Sequence, residues 1–128
     1  MIRAYICSPL SAETEVEIRR NMLRARQFMK QIADIYGYRT YAPHAYLPEL
    51  LDDTYREERA LALSFDMKLL EICEIVIVCG TRISRGMQME IEQAFRLNKE
   101  VYHWPDTEQA RLLPIKKWRQ VYEMQIQK

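Results

Sequence analysis

Ile75-Val76-Ile77-Val78-Cys79-Gly80-Thr81-Arg82-Ile83-Ser84-Arg85-Gly86-Met87-Gln88-Met89-Glu90-Ile91 is the stretch on which the fold turns. Its first five residues are apolar without a break, the pattern of a parallel strand covered on both faces. Gly80 to Ser84 interrupt that run. Met87, Ile91, Ala94 and Phe95 then recur at three- and four-residue spacing, which predicts an amphipathic helix. Strand, corner and helix follow one another. In an open α/β sheet such a corner lies at the carboxyl end of the strand, where ligands bind. The corner holds two of the chain's 3 glycines, with Ser84, Arg82 and Arg85.

Working outward, the same alternation recurs. Residues 2 to 7 read as a first strand, broken by Ser8-Pro9-Leu10-Ser11. Thr14 with Glu17 has capping-box spacing and marks a helix start. Ile18, Met22, Ala25, Met29, Ile32, Ala33 and Tyr36 give that helix one apolar stripe, and Gly37 suits its C-cap. Tyr38 to Ala42 is a short second strand ended by Pro43. A loop follows, with a turn of helix expected near residues 49 to 51. One of Asp52, Asp53 or Thr54 is expected to cap a long helix ending near Ile72. Glu100 to Trp104 is a fourth strand. The tail from about Thr107 is predicted helical, with Ile115, Trp118, Tyr122 and Ile126 on one side. The fold class is therefore α/β: a three-layer, Rossmann/flavodoxin-like domain over residues 1–128, with 105–128 as a helical tail. Its sheet is mostly parallel, of four to five strands, with helices on both faces.

Composition narrows the function. The 128 residues carry 19 basic and 18 acidic side chains, so no electrostatic footprint for duplex nucleic acid or an anionic membrane exists. No apolar run approaches the ~20 residues that span a bilayer. Met1 leads straight into a strand pattern, leaving no room for a signal peptide. The 3 cysteines are odd in number and lack metal-like spacing. They read as small buried hydrophobes in a reducing cytoplasm.

Two carboxylates break the apolar pattern. Asp66 has Ala62, Leu63, Leu69 and Leu70 as its three- and four-residue neighbours, which puts it inside a buried stripe. Burial of an unpaired carboxylate is costly. Asp66 either serves chemistry or sits where the stripe reaches an edge and bonds a neighbouring loop. Glu90 lies about 60° from Met87 around its helix. It flanks the stripe near a helix start that favours anions. Its plain alternative is a solvated helix carboxylate. Two inward carboxylates suit glycosidase-type work, in which one attacks an anomeric carbon and the other serves the leaving group.

On these residues the chain resembles the nucleoside 2-deoxyribosyltransferase superfamily, which includes N-glycosidases of nucleoside 5′-monophosphates. The resemblance covers roughly residues 2 to 104. It rests on Ala4-Tyr5-Ile6-Cys7, on Asp66 preceding Leu70-x-x-Cys73-Glu74-Ile75-Val76-Ile77-Val78, and on Gly86-Met87-Gln88-Met89-Glu90-Ile91. Further similarity is to short, largely uncharacterised members that share Ala42-Pro43-His44-x-Tyr46, Leu51-Asp52-Asp53, Arg59 and the Arg82-Ile83-Ser84-x-Gly86-Met87 corner. The resemblance implies Glu90 as nucleophile, Asp66 as the residue assisting protonation of the leaving base, and Tyr5 as hydrogen-bond donor to the nucleophile. From the residues alone, Tyr5 could equally be ordinary core.

Ser84 bears on the substrate's 5′ end. In the transferases an Asp typically stands there and suits a free 5′-hydroxyl; in the monophosphate glycosidases a Ser donates to phosphate. Ser84 can also be a plain helix N-cap. Gly86, Met87, Arg82, Arg19 and Ser8 complete the substrate-binding set. The phosphate-binding glycosidases usually have a Gly-rich first loop; here it is Ser8-Pro9-Leu10, and Pro9 removes a donor. His44 follows the second strand on the ligand side. It is either a contact to phosphate, ribose or base, or a loop histidine bonded to backbone. The implied function is N-glycosidic cleavage of a nucleoside 5′-monophosphate through a glycosyl-enzyme intermediate. Base exchange between nucleosides and a non-catalytic nucleotide-binding module are the alternatives. No metal or redox cofactor is implied. The partners expected are a small nucleoside or nucleotide and further copies of the chain.

Overall fold

The computed structural model describes residues 1–105, 111–117, 119–121 and 123. Its elements are β1 (Arg3–Cys7), α1 (Glu15–Tyr36), β2 (Arg39–Tyr41), a 3-10 turn (Pro43–Ala45), α2 (Leu47–Leu50), α3 (Arg56–Ile72), β3 (Ile75–Cys79), α4 (Arg85–Arg96), β4 (Glu100–Trp104) and β5 (Leu113–Ile115). The strands form one sheet in the order β2-β1-β3-β4-β5. The first four run parallel, and β5 pairs antiparallel with β4. The chain leaves β1 toward β2 on one side and returns to β3 on the other. The crevice between the carboxyl ends of β1 and β3 is thus the topological switch point.

Local chemistry explains most boundaries. The Thr14 hydroxyl accepts from the Glu17 N–H at 3.2 Å and starts α1. Gly37 ends it at φ 69, a left-handed conformation open to glycine at no steric cost. Ser84 caps α4, its Oγ accepting from the Met87 N–H at 3.3 Å. Asn98 takes φ 56 just beyond α4.

Side chains alternate strictly across the sheet. Ala4 and Ile6 of β1, with Ile75 and Ile77 of β3, pack under α1 against Ala25, Phe28 and Ile32. Tyr5 and Cys7, with Val76 and Val78, face α3 and α4 and meet Leu70, Met87, Ile91 and Ala94. Phe28 is a core residue that the predicted α1 stripe omitted.

Three expectations need correction. Residues 113–115, predicted helical, form β5. A 3-residue strand with Pro114 is tolerated because it is the sheet edge, where a missing N–H leaves no ladder bond unmade. Residues 119–121 and 123 are helical; Trp118, Tyr122 and Ile126 of the predicted tail face lie outside the described residues. Second, no side chain caps α3, which starts after Tyr55. Asp52 instead bonds the Thr54 N–H at 2.9 Å and its hydroxyl at 2.7 Å, closing a local turn. Third, the apolar stripe of α3 is only half used. Its core contacts end at Leu70 and Asp66, while Leu61, Leu63 and Phe65 are exposed. The N-terminal half of α3 overhangs a cleft instead of packing on the sheet.

Candidate active site

Asp66 sits where α3 passes from core to cleft, and Glu90 sits one turn into α4 on the inward side. Both are buried, at 7% and 3% exposure. Tyr5, at the centre of β1, donates its hydroxyl to Glu90 Oε2. His44, from the turn after β2, places Nε2 at 3.5 Å from Asp66 Oδ2 and 3.6 Å from Glu90 Oε2. Four elements thus bring Tyr5, Glu90, His44 and Asp66 into one continuous polar chain inside an apolar layer.

The electrostatics follow from this packing. Burial, with the adjacent Glu90 charge, holds the Tyr5 phenol well above its ordinary pKa, so it stays a donor. Burial alone would lower the His44 pKa. The close carboxylates of Asp66 and then Glu90 outweigh it and raise the imidazole from 6.5 to about 10. His44 is therefore an imidazolium at neutral pH. Its contacts are those of an ion pair and are longer than hydrogen bonds. Among the described residues, both His44 ring nitrogens and Asp66 Oδ1 are buried without a hydrogen-bond partner. Such atoms are costly in isolation, and a polar ligand would satisfy them.

Ligand atoms of His44, Asp66 and Glu90 lie within 4.8 Å of one another, a spacing compatible with a cation. The imidazolium already supplies positive charge between the two carboxylates. A metal there would compete with the His44 proton for the ring nitrogen.

His44 and Asp66 line a cleft of about 660 Å³ with Arg59, Leu63, Arg85, Gly86 and Met89. Glu90 is not on the cleft wall; its carboxylate lies 3.6 Å from His44 Nε2. A second, smaller cleft of about 200 Å³ opens at the ends of β1 and β3. Ser8, Asn21, Arg24, Gly80, Thr81 and Arg82 line it. The Ser8 hydroxyl there is buried without a partner among the described residues.

The predicted site residues therefore divide. Glu90, Asp66, Tyr5 and His44 are brought together, and Gly86 lines the same cleft. Ser8 and Arg82 share the smaller cleft. Ser84 lies between the two as the α4 cap. Met87 is buried in the core, its sulfur 3.4 Å from the Ser84 N–H, and lines neither cleft. Arg19 is exposed on α1 and also lines neither. One neighbour was missed: Cys7 places Sγ 3.8 Å from Glu90 Oε1. Strand alternation puts Cys7 on the same face as Tyr5, so the signal was present in β1.

Comparisons with known proteins bear on this arrangement. A solved 2-deoxyribosyltransferase from the psychrotolerant bacterium Bacillus psychrosaccharolyticus is similar over 95% of this chain and 81% of that one. The TM-score is 0.62 and the identity 17%. At that identity the likeness establishes the α/β fold. No curated protein matches the sequence significantly. A family model covers residues 3–104, from the first residue of β1 to the last of β4, and so spans the whole cluster. On that match, the chain belongs to the family described as a domain of unknown function, DUF7768.

Proposed function

We propose that the protein cleaves the N-glycosidic bond of a nucleoside 5′-monophosphate. One observation carries this reading: the chain Tyr5–Glu90–His44–Asp66, buried at the carboxyl edge of the sheet. Its parts have the chemistry that the reaction needs. A Glu90 oxygen attacks C1′ as the bond to the base nitrogen breaks, through an oxocarbenium-like transition state. The base leaves with a proton. Asp66 either gives that proton or positions its donor, and the imidazolium of His44 beside it fits the second role. The product is a glycosyl ester on Glu90. Water then attacks C1′, its proton returns to the His44–Asp66 pair, and the sugar leaves with net retention. Tyr5 holds Glu90 Oε2, the oxygen on the His44 side, and so fixes the orientation of the carboxylate. Because Glu90 is off the cleft wall, attack requires the cluster to open toward the cleft when substrate binds.

The 5′ end is assigned to the corner after β3. Ser84, the free N–H groups opening α4, Arg82 and Ser8 favour an anion there. Base exchange between nucleosides is the second reading, supported by the shared fold of the 2-deoxyribosyltransferase neighbour. A deoxynucleoside and its 5′-monophosphate, assayed side by side with and without an acceptor base, separate the two. Release of base only from the phosphate ester supports the first. The control is Glu90→Ala, expected to abolish turnover with the fold intact. Full activity in that variant removes Glu90 from the mechanism.

We also propose a homo-oligomer. Leu61 and Phe65 lie one turn apart on α3, exposed near the cleft rim. A second copy covering them would enclose the site, and sedimentation of the full chain tests this. No helix among the described residues is long and apolar enough to cross a membrane.

A further inference from the structure

The corner that is assigned to the 5′ end is tied down from a strand that takes no part in either cleft. Gly80 leaves β3 at φ 85, a left-handed conformation. Both of its peptide groups are held by β4. The Gly80 N–H donates to the Trp104 carbonyl at 3.0 Å. The Gly80 carbonyl meets His103 Nε2 at 2.6 Å. A carbonyl only accepts, so Nε2 carries the proton of this bond. His103 stands opposite Val78 in the β3–β4 register, one residue short of Trp104. Its ring thus reaches forward past the strand end to grip the first residue of the loop. At the far end of the loop, Ile83 is buried and Ser84 and Met87 cap each other. Only Thr81 and Arg82, between the two anchors, are exposed.

We propose that His103 is a positioning residue that holds the Gly80–Ser84 corner in its anion-binding form. The inference rests on the assignment of that corner to the substrate's 5′-phosphate. A loop with a left-handed glycine at its start has many alternative paths. The His103 bond selects one of them, and with it the placement of Arg82 and Ser84. His103 touches neither Glu90 nor the large cleft, so its influence falls on binding and not on bond cleavage.

The test is kinetic, on the full chain. His103→Phe keeps an aromatic ring and removes the donor. It should raise KM for the 5′-monophosphate by about tenfold, the loss expected for one buried hydrogen bond. kcat should stay within about twofold, as should KM for the unphosphorylated nucleoside. His103→Gln, whose side-chain amide can donate to the same carbonyl, should recover most of the KM. Equal effects on both substrates, or a fall in kcat with KM unchanged, overturn the proposal. Hydrogen exchange at the amides of residues 81 to 86 gives a readout independent of turnover. It should quicken in His103→Phe and return toward wild type in His103→Gln; unchanged exchange also overturns the proposal. If wild-type protein releases no base from any substrate, the glycosidase reading falls, and exchange still decides whether His103 holds the loop.

Discussion

Strand β1 sends Ala4 and Ile6 to one face of the sheet and Tyr5 and Cys7 to the other. Under α1, Ala4 and Ile6 belong to an apolar cluster with Ala25, Phe28, Ile32 and Trp104. Under α3 and α4 the apolar packing is interrupted by Asp66 and Glu90, with His44 closing over them. The first face derives its stability from area removed from water. The second accepts buried charge, which stabilises little and is destabilising when one partner is removed. The difference teaches where to look for function: adjacent residues of one strand belong to a structural face and a chemical face.

Substitutions can break that contrast. The largest expected effect is on the chemical face: Glu90→Gln should lower base release by about 10⁴-fold or more. Its melting temperature should fall, since one charged partner of the His44 imidazolium is removed. Retained turnover at a tenth of wild type or better, on the order of a routine side-chain effect, would move the nucleophile elsewhere. Asp66→Asn comes next, with a loss of about 10²- to 10³-fold in the base-release step under single-turnover conditions. An unchanged rate there would leave His44 as a donor that needs no positioning.

On the structural face the expected pattern reverses. Ile32→Ala should cost about 2–5 kcal/mol in denaturant unfolding, with kcat per folded molecule unchanged. A comparable loss of kcat would show that the two faces are coupled.

The pH profile sharpens the contrast further. The His44 pKa is raised from 6.5 to about 10 on folding. Its ion pairs therefore add stability that is fully present below pH 6.5 and lost as pH rises toward 10. Unfolding midpoints measured across that window should fall with pH in wild type and flatten in His44→Gln. A flat wild-type profile would mean that the imidazole is neutral between the carboxylates. The smallest effect belongs to neither face: Thr14→Ala should remove about 1 kcal/mol by deleting the α1 cap, measurable by thermal melting without change in kinetics.

Much of this was legible from residue order. The β3 boundaries, Ile75–Cys79, follow from an uninterrupted apolar run, the end of β4 at Trp104 from Pro105, and Ser84 from its capping position. Asp66 and Glu90 stood out because they violated helical periodicity. Burial of His44 between them was not legible. It depends on how the turn after β2 folds back toward α3 and α4, a long-range packing event with no local signature. β5 was missed for a related reason. An edge strand needs only a few residues and borrows its order from β4, so its own sequence need not alternate. The α3 start was misplaced because the Asp52-Asp53-Thr54 cluster carries cap chemistry but spends it on its own turn.

All three cysteines are buried, and they divide between the two faces: Cys7 beside Glu90, Cys73 at the foot of α3, Cys79 under α1. Burial also pushes the Cys7 thiol well above its usual range and the Cys73 thiol up to about 11. None reacts readily while the native packing is closed. The protein therefore carries its own set of chemical clocks. The rate at which each sulfur takes up an alkylating reagent reports how often its neighbourhood opens, and a bound nucleotide analogue should slow Cys7 and Cys79, which lines the smaller cleft, while leaving Cys73 at its former pace.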